Sequence, residues 1–400
     1  MAPFTYITFD SNHNVSPCPA LGGSLWNFPD QSLSEIWKNQ EFEAFRQGML
    51  ENKKQNACHR CWGEEAVGLA SERTMLWDPA KDPQGTNTTL LETSKTPSQI
   101  MTTGEWKKGP MQAAIKISNV CNLRCRSCNS ADSVTLSVEG KYFEKTYGLK
   151  DNFWLKDTKS RTFTDEQIDE IADFCSNCSR IEFYGGEPLI DKQLPRLLKK
   201  LVDKGVSRNI NINVSTNVTN KMDDELIDTL SQFAHFNLNL SIDGWGSQFA
   251  YLRHPASWED VYDNIRWFIR LRDSGRIPMS ILSVITVTSM NVFYLPDLIA
   301  RLKIHFGLDV HLILSYHPYY FSVKNIPDVI ADRVADRLQN FELHDLQPVV
   351  NLLKQPHDPK LWKEFQQWTS ITDQYRKESF AETFPEFYQL ICKLDTDFKI

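Results

Sequence analysis

Strand-like apolar runs alternate with amphipathic helical segments through the middle of the chain, and this alternation limits the fold more than any other feature. Strands that alternate with helices over short connections form a parallel sheet with right-handed crossovers. The sequence therefore predicts an α/β fold in which the carboxyl ends of the strands meet at one edge. The six predicted strands cover residues 113–120, 181–184, 210–215, 236–242, 280–287 and 310–314.

Local signals mark the helix boundaries in this region. Thr164 and Gln167 form a capping box, in which each side chain satisfies a free backbone N–H group of the first helical turn. The leucine-rich segment 193–204 ends before Gly205, a residue that accepts the left-handed backbone at a helix end. The segment 129–161 has no clear period, and we interpret it as an insertion over the strand ends.

Three cysteines follow the first predicted strand in the spacing Cys-x3-Cys-x2-Cys, at Cys121, Cys125 and Cys128. Thiolates are the usual ligands of iron–sulfur clusters, which normally take four, so three leave one iron open to a small molecule. A zinc knuckle is the rival interpretation. No histidine or fourth cysteine follows at zinc-finger spacing, so the pattern favours an iron–sulfur cubane.

The second predicted strand runs into Gly185, Gly186, Glu187 and Pro188. Paired glycines let the backbone approach a ligand closely, and a carboxylate suits an ammonium group. Alone, the motif is also compatible with an ordinary strand-to-helix turn. Together with the cysteine spacing, it resembles the radical S-adenosylmethionine (SAM) superfamily, in which a Gly-Gly-Glu-Pro motif closes the second strand.

That resemblance implies a six-stranded, (β/α)6 partial TIM barrel that holds a [4Fe–4S] cluster on the three loop cysteines. The open iron would bind the amino and carboxylate groups of SAM, and the Gly-Gly-Glu-Pro motif would hold the amino group. Many members of the superfamily have an aromatic residue just before the third cysteine, near adenine. This chain has Ser127 there, so that contact must come from elsewhere.

The resemblance also assigns SAM contacts to later strand ends. Ser215 and Asn217 end the third strand and Asp243 ends the fourth, where the superfamily contacts the SAM ribose and carboxylate. Arg253 resembles the arginine that pairs with the SAM carboxylate. Asn217 and Asp243 would also make good turn residues, and the alternative is as strong for Asp243. His317 follows the sixth strand and either faces the substrate or is a structural histidine.

Three amino-terminal cysteines, Cys18, Cys58 and Cys61, resemble half of an auxiliary-cluster domain of the type called SPASM or, when shortened, twitch. Such domains usually follow the barrel, whereas this one precedes it. We expect the three to hold an auxiliary [4Fe–4S] cluster, with the fourth ligand open among Cys392, His59, a carboxylate and the substrate. A zinc site on Cys58 and Cys61 is the alternative.

The proposed domain organisation follows from these patterns and from composition. The segment 78–110 is rich in Thr, Pro, Gly, Ser and Lys, as linkers are. Cys175 and Cys178 precede the second strand, away from the strand ends, and we interpret them as structural. The four regions are an auxiliary-cluster domain at 1–77, the linker at 78–110, the partial barrel at 111–321 and a helical carboxyl-terminal region at 322–400.

Net charge and cysteine content limit the partners and the compartment expected for this chain. The net charge of -7 over 400 residues argues against a polyanionic partner such as folded RNA. No apolar run reaches transmembrane length, and no secretory signal is visible. Nine cysteines in a chain this long do not form a disulfide scaffold, so we expect a reducing cytoplasm. The expected partners are a peptide or small-molecule substrate and a reductant such as flavodoxin or ferredoxin.

The resemblance implies reductive cleavage of SAM to a 5′-deoxyadenosyl radical, which abstracts hydrogen from a peptide or small metabolite. The auxiliary cluster would transfer electrons or bind the substrate. A sulfur-inserting, methylthiolating enzyme is one alternative, and it lacks the support of an RNA-binding module. A metal-binding module on a degenerate barrel is the other, against which the intact Gly-Gly-Glu-Pro motif argues.

Overall fold

A computed structural model describes most of the chain. The proposed linker lies outside the described residues up to residue 103. The described residues are 2–9, 14–18, 21, 26–27, 31–51, 53–68, 71, 104–150, 154–156 and 159–400.

One mostly parallel sheet organises these residues, in the order β3-β2-β1-β4-β5-β6-β7-β8-β9. Seven of its strands run parallel, and β2 and β3 form an antiparallel edge beside β1. The strands are β1 (Tyr6–Phe9), β2 (Asn14–Ser16), β3 (Trp26–Asn27), β4 (Gln112–Lys116), β5 (Arg180–Tyr184), β6 (Asn211–Thr216), β7 (His235–Ser241), β8 (Met279–Val287) and β9 (Val310–Leu314).

The prediction of an α/β fold with a parallel sheet is therefore confirmed, whereas the predicted count of six strands was too small. All six predicted strands are present as β4–β9. The sequence analysis missed β1, which pairs in parallel with β4 from Tyr6 opposite Gln112 to Phe9 opposite Ile115. Its four residues are all buried, so it lacks the polar alternation that reveals a half-exposed strand.

The two faces of the sheet differ in polarity. In β7, Phe236, Leu238 and Leu240 are buried, while Asn237 and Asn239 between them are only half-buried. Successive side chains of a strand point to opposite faces, so one face joins the apolar core and the other carries polar groups. This arrangement leaves polar side chains available on one face of the sheet.

Helices follow each central strand and cover the apolar face. In α7, four leucines are almost completely buried, and each contributes about 1.5–3 kcal/mol relative to full exposure. The capping box of Thr164 and Gln167 begins α6 as predicted. The helices up to β9 are α1 (Ala2–Thr5), α2 (Leu33–Lys38), α3 (Gln40–Leu50), α4 (His59–Ala66), α5 (Leu136–Tyr147), α6 (Asp165–Phe174), α7 (Gln193–Asp203), α8 (Asp224–Leu230), α9 (Ser247–Leu252), α10 (Trp258–Asp273) and α11 (Leu295–Phe306).

The carboxyl-terminal region is helical, in agreement with the sequence pattern. Its aromatic residues Trp362, Phe365 and Trp368 are buried and join the main core. Within the described residues, no helix combines the length and apolar character needed to span a membrane. The helices are α12 (Asp328–Gln339), α13 (Gln347–Leu353), α14 (Pro359–Arg376), α15 (Phe380–Thr383) and α16 (Pro385–Leu394).

The amino-terminal region is not a separate layer, because β1 to β3 continue the central sheet. Its helices also bind the rest of the chain directly. Leu33 donates its backbone N–H to Glu170 of α6 at 2.7 Å, and the Trp37 indole donates to the Trp106 carbonyl at 2.7 Å. The proposed boundary near residue 77 remains a prediction, since it falls outside the described residues.

Candidate active site

The cysteine loop, residues 121–128, leaves the carboxyl end of β4 and is fixed at its backbone. The Arg124 N–H donates to the His254 carbonyl at 2.7 Å, and the Arg126 N–H donates to the Leu252 carbonyl at 2.9 Å. Leu123 is buried in the main core. The loop is therefore held on both sides of Cys125 by the end of α9 and the residues directly after it.

The three thiols of this loop lie close enough to affect one another. Burial raises the pKa of Cys121 to about 12, and the neighbouring Cys125 thiol adds to this rise. Burial likewise raises the pKa of Cys125 and Cys128. Buried thiols ionise when a metal supplies compensating positive charge. This donor set thus fits a metal centre that binds thiolates.

The spacing of the donors bears on which metal centre fits. Among the residues that the structure describes, no three Cys, His, Asp or Glu side chains converge on one ion-sized position. A cubane cluster takes its thiolates on separate irons, so it does not require donors that converge on one ion. The choice of a cluster over a zinc knuckle therefore rests on the sequence spacing.

Two of the predicted SAM residues donate hydrogen bonds to these sulfurs. The Asn217 amide nitrogen lies 3.8 Å from Cys121 Sγ, and Arg253 Nη1 lies 3.9 Å from Cys125 Sγ. Asn217 also donates to Asn122 Oδ1 at 2.9 Å. Donors beside ligating sulfurs orient them and favour their negative charge. These residues would therefore affect a bound cluster as well as SAM.

The glycines of the Gly-Gly-Glu-Pro motif pack against the residues that precede and follow the cysteine loop. Gly186 donates its N–H to the Asp132 carbonyl at 2.9 Å, and its φ is 60°. A Cβ added at Gly186 would lie 2.5 Å from the Val120 carbonyl oxygen, and one at Gly185 would lie 2.1 Å from Lys116 Cγ. The motif therefore needs glycine for packing within the protein, in addition to the ligand contact expected from the sequence.

Glu187 connects the ends of β5 and β6. Its buried carboxylate accepts hydrogen bonds from Thr216 Oγ1 at 2.8 Å, from the Asn217 N–H at 2.6 Å and from the Leu189 N–H at 3.1 Å. Burial raises its pKa to about 7. Pro188 opens the short 3-10 helix that follows. Contact between Glu187 and the SAM amino group stays a prediction, and the structure adds a role in joining the two strand ends.

Asp243 and Arg253 form a buried ion pair, with Arg253 Nη2 2.7 Å from Asp243 Oδ2. Asp243 Oδ1 also accepts the Thr286 N–H at 2.7 Å. Arg253 Nε is buried and has no acceptor among the described residues. A buried guanidinium N–H without an acceptor is costly, and a ligand carboxylate is a suitable acceptor. The orphaned Nε therefore fits the predicted contact with the SAM carboxylate.

Ser215 lies near the carboxyl end of β6, opposite Asn239 of β7. It is half-buried, and its neighbours in sequence, Val214 and Thr216, are buried on the other face. Ser215 therefore lies on the polar face of the sheet, where the sequence predicted a ribose contact.

The described residues also enclose a cavity of about 1210 Å³, whose wall includes Asn129, directly after Cys128. Its walls come from α4, the end of β4, the loop after Cys128, the segment after α5, the segment after β9, and α14. Lys116 and Asp132 form an ion pair in its wall at 2.5 Å. Lys116 is the last residue of β4. Its position at the carboxyl end of a strand could have identified it from the sequence as a candidate site residue. The lining includes His59, Lys116, Asn129, Asp132, His317, Tyr319, Glu364, Gln367 and Trp368.

His317 lies in the wall of this cavity, as one of its two sequence interpretations required. Burial lowers its pKa, and the nearby His59, Arg60 and Lys156 lower it further. Its ring contacts that of Tyr319, with a centroid distance of 4.3 Å. Its position in the segment after β9, near His59 and Arg60 of α4, fits a substrate-facing residue.

The amino-terminal cysteines lie on separate elements. Cys18 follows β2 and packs beside Tyr6, while Cys58 ends a 3-10 helix and Cys61 lies one turn later in α4. The negative charges of Glu64 and Cys61 help burial to raise the pKa of Tyr316 to about 12, which places α4 beside the end of β9. The described residues do not bring all three cysteines onto one ion-sized position.

The remaining cysteines have local partners. A hydrogen bond with the Cys392 thiol raises the pKa of Tyr388, one turn earlier in α16. Cys175 and Cys178 are buried before β5, at the amino-terminal end of the strands, and the Cys178 thiol donates to the Pro110 carbonyl at 3.5 Å. These contacts fit the structural interpretation of Cys175 and Cys178, and they leave the fourth ligand of the auxiliary site unassigned.

Comparison with protein families gives two matches. The radical SAM superfamily model matches residues 115–284, and the model of the SPASM iron–sulfur cluster-binding domain matches residues 1–62. The second match confirms the amino-terminal placement expected from the sequence. Among curated proteins, no sequence matches significantly.

Several solved structures are similar to parts of the chain. Native anSMEcpe with bound AdoMet is 20% identical over 58% of this chain and 60% of its own, with a TM-score of 0.40. Streptococcus suis SuiB bound to S-adenosylmethionine is 14% identical over 77% of this chain and 59% of its own, with a TM-score of 0.38. SuiB bound to the precursor peptide SuiA is 12% identical over 88% and 66%, with a TM-score of 0.36. The chain thus spans about three fifths of the first two structures.

Proposed function

We propose that this chain, which belongs to the radical SAM superfamily and carries an amino-terminal SPASM iron–sulfur cluster domain, abstracts hydrogen from a peptide or small-metabolite substrate. Its cofactors are a [4Fe–4S] cluster, SAM and an auxiliary iron–sulfur cluster. Together these groups supply one-electron cleavage of SAM and a radical able to take a hydrogen atom from carbon. A reductant such as flavodoxin or ferredoxin would supply the electron, and a reducing cytoplasm suits the clusters.

The residues of the chain would bind and orient these groups. Cys121, Cys125 and Cys128 would hold the first cluster, and the nitrogen donors of Asn217 and Arg253 would stabilise its thiolates. The orphaned Nε–H of Arg253 would donate a hydrogen bond to the SAM carboxylate. Asp243 keeps the guanidinium in place for this contact.

Other residues complete the SAM site in this proposal. Gly185, Gly186, Glu187 and Pro188 would hold the SAM amino group, with Glu187 fixing the ends of β5 and β6. Ser215, on the polar face, would contact the ribose. Cys18, Cys58 and Cys61 would hold the auxiliary cluster.

The cavity of about 1210 Å³ is the observation that carries the proposal. Its wall contains His59, which lies between Cys58 and Cys61, and also Asn129, which follows Cys128 directly. A substrate in this space would therefore contact residues adjacent to both cysteine sets. Pockets for small ligands usually measure about 300–1,000 Å³, so this space has room for either a small metabolite or a peptide segment.

SAM cleavage tests this function without knowledge of the substrate. Protein reconstituted without oxygen is mixed with SAM and dithionite, and 5′-deoxyadenosine is measured. We expect release by wild type and none by the Cys125→Ala variant. No release by fully iron-loaded wild type, under several reductants, would support the degenerate-barrel alternative instead.

A substrate screen then separates the two enzyme classes. Peptide and metabolite libraries are added to the same reaction, and products are identified by mass. Loss of hydrogen or a new crosslink supports the proposal. Gain of a methylthio group or a sulfur atom would favour the sulfur-inserting alternative.

A further inference from the structure

Arg126, inside the cysteine loop, is a fully buried cation. Its guanidinium lies 3.5 Å from the centre of the Tyr251 ring. It donates to Asp373 Oδ1 at 2.5 Å and to Glu378 Oε2 at 2.6 Å, and both acceptors belong to the carboxyl-terminal region. A helix far along the sequence thus contacts the residue directly after Cys125.

Both carboxylates are themselves held in place. Asp373 accepts the Tyr251 hydroxyl at 2.7 Å and the Phe380 N–H at 2.7 Å. Glu378 Oε1 lies 2.6 Å from His254 Nδ1. Because other groups fix each acceptor, the position of Arg126 depends on the placement of α14 and the turn after it.

A second buried ion pair, between Arg376 and Glu139, also joins the carboxyl-terminal region to the cysteine loop. Arg376 donates to Glu139 Oε2 at 2.7 Å and to the Arg124 carbonyl at 2.7 Å. Arg124 itself lies 3.0 Å from Glu139. Glu139 and Arg376 are almost completely buried. The carboxyl-terminal region therefore contacts the loop on both sides of Cys125.

These contacts also reach Arg253. The carbonyls of Leu252 and His254, which flank Arg253, accept the N–H groups of Arg126 and Arg124. Arg253 in turn lies 3.9 Å from Cys125 Sγ and pairs with Asp243. The distance between the cysteine loop and Arg253 is thus set by the same group of residues.

We infer that Asp373, Glu378 and Arg376 are positioning residues for the cluster and for SAM. Through Arg126 and Arg124 they fix the cysteine loop against Arg253, and we call these five residues the carboxyl-terminal clamp. The inference rests on the proposed function, because it takes the loop and Arg253 as the cluster and SAM sites. A buried ion pair is weak evidence of a stabilising role, since apolar residues often stabilise a core as well.

Nearly isosteric variants, with a control at a more exposed ion pair, test the clamp. Asp373→Asn and Glu378→Gln each remove one charge that faces Arg126. Asp297→Asn is the control, because it breaks an ion pair with Arg337 of α12 at 2.5 Å, away from the cysteine loop. Each protein is reconstituted without oxygen, and its iron content, its electron paramagnetic resonance (EPR) spectrum with and without SAM, and its SAM dissociation constant are measured.

The clamp predicts changes that a stabilising role alone would not produce. Asp373→Asn should bind SAM roughly tenfold more weakly, the lower end of effects seen when partners of metal ligands are lost. The SAM-dependent part of its EPR spectrum should also change. Glu378→Gln, which keeps the Asp373 contact, should show the same changes to a smaller degree. Asp297→Asn should match wild type in both measurements.

Wild-type SAM affinity and spectra in Asp373→Asn, with only a lower melting temperature, would overturn the inference. Should Asp373→Asn not fold, Glu378→Gln decides, since Glu378 is less buried and its substitution leaves Arg126 with one carboxylate. Failure of the wild-type protein to bind SAM would overturn the proposed function and the clamp together. Normal wild-type binding with unaffected variants would overturn the clamp alone.

Discussion

The two cysteine sets are held by different kinds of structure. Cys121, Cys125 and Cys128 lie in one short loop, tied by backbone hydrogen bonds and by buried ion pairs. Cys18 follows β2, which pairs with the edge strand β3, and Cys58 and Cys61 follow forty residues later on short helices. The first set therefore depends on local chain geometry and its immediate neighbours. The second depends on the closure of a long chain segment around the sheet edge.

This difference indicates which of the two cysteine sets can assemble a cluster without the other. A short loop loses little conformational freedom when it orders around a ligand, whereas distant residues must also be brought together. We therefore expect the cysteine loop to assemble its cluster without the amino-terminal set. Four predictions test or sharpen this contrast, and the closing measurement tests it directly.

The largest expected effect follows from removing the loop cysteines. The Cys121/Cys125/Cys128→Ala variant should lose all SAM cleavage and about half of its iron, or about four of eight irons per chain. The iron that remains should belong to the amino-terminal set. Iron analysis and a 5′-deoxyadenosine assay check this. Complete loss of iron would show that the second site needs the first, against the proposed independence.

Gly186→Ala should be nearly as damaging, because the new Cβ would lie 2.5 Å from the Val120 carbonyl at the start of the cysteine loop. Gly205→Ala is the matched control. Its φ of 71° imposes similar backbone strain, of about 1–3 kcal/mol, but no atom lies within 4 Å of its Cβ. We expect SAM binding to be lost only in Gly186→Ala. Equal SAM affinity in the two variants would contradict the docking role of Gly186.

Arg253→Lys should weaken SAM binding while leaving the iron content unchanged. Lysine keeps the charge but loses the planar fork that contacts Asp243, Cys125 and the proposed SAM carboxylate. We expect a fall in SAM affinity of about tenfold, equivalent to roughly 1.4 kcal/mol. Calorimetric titration of reconstituted protein measures it. Unchanged affinity would remove Arg253 from the SAM site.

The smallest expected effects concern the pH dependence of folding stability. Its sign should differ between the surroundings of the cysteine loop and those of the amino-terminal cysteines. Burial opposes ionisation of Glu378, but hydrogen bonding to His254 and the charge of Arg126 keep its pKa below 4.5. Its contribution to folding is therefore present above pH 4.5 and is lost as the pH falls through the lowered pKa. Glu378→Gln should thus cost about 1 kcal/mol at neutral pH and less in acid.

Glu64, beside the amino-terminal cysteines, should behave in the opposite way. Burial raises its pKa above 4.5 despite the charge of Arg60. The folded state then favours the protonated carboxyl, so stability falls as the pH rises from 4.5 through the raised pKa. Glu64→Gln should therefore gain stability relative to wild type with rising pH. Urea unfolding of metal-free wild type and of both variants at pH 4 and pH 7 measures these effects. The stability of each variant relative to wild type should change in opposite directions between the two pH values. A change in the same direction would contradict the opposite pKa shifts assigned to Glu378 and Glu64.

The sequence predicted features that depend on local pattern. Strands β4–β9 and the capping box at Thr164 follow from period and end signals, and the cysteine loop and Gly-Gly-Glu-Pro motif follow from spacing. β1 was missed because four consecutive buried residues show no period. Contacts between distant segments were also missed. Neither the Arg126 contacts with Asp373 and Glu378 nor the shared cavity has a signal in a single sequence.

The same distinction explains why the two sites differ in what the sequence alone could predict. Three cysteines within eight residues define a site by themselves, because the chain between them is too short to separate them. Cys18 and Cys58 lie forty residues apart, so their spacing alone does not define a site. The fourth auxiliary ligand is of the second kind, since it depends on tertiary contacts rather than on spacing.

The central claim is that two cysteine sets hold two clusters with separate roles, and one variant tests it most directly. Cys58→Ala should be reconstituted without oxygen beside wild type, and iron content and 5′-deoxyadenosine should be measured together. We expect about eight irons in wild type and about four in the variant, with SAM cleavage retained by both. Equal iron content in the two proteins, or loss of SAM cleavage by Cys58→Ala, would contradict the claim.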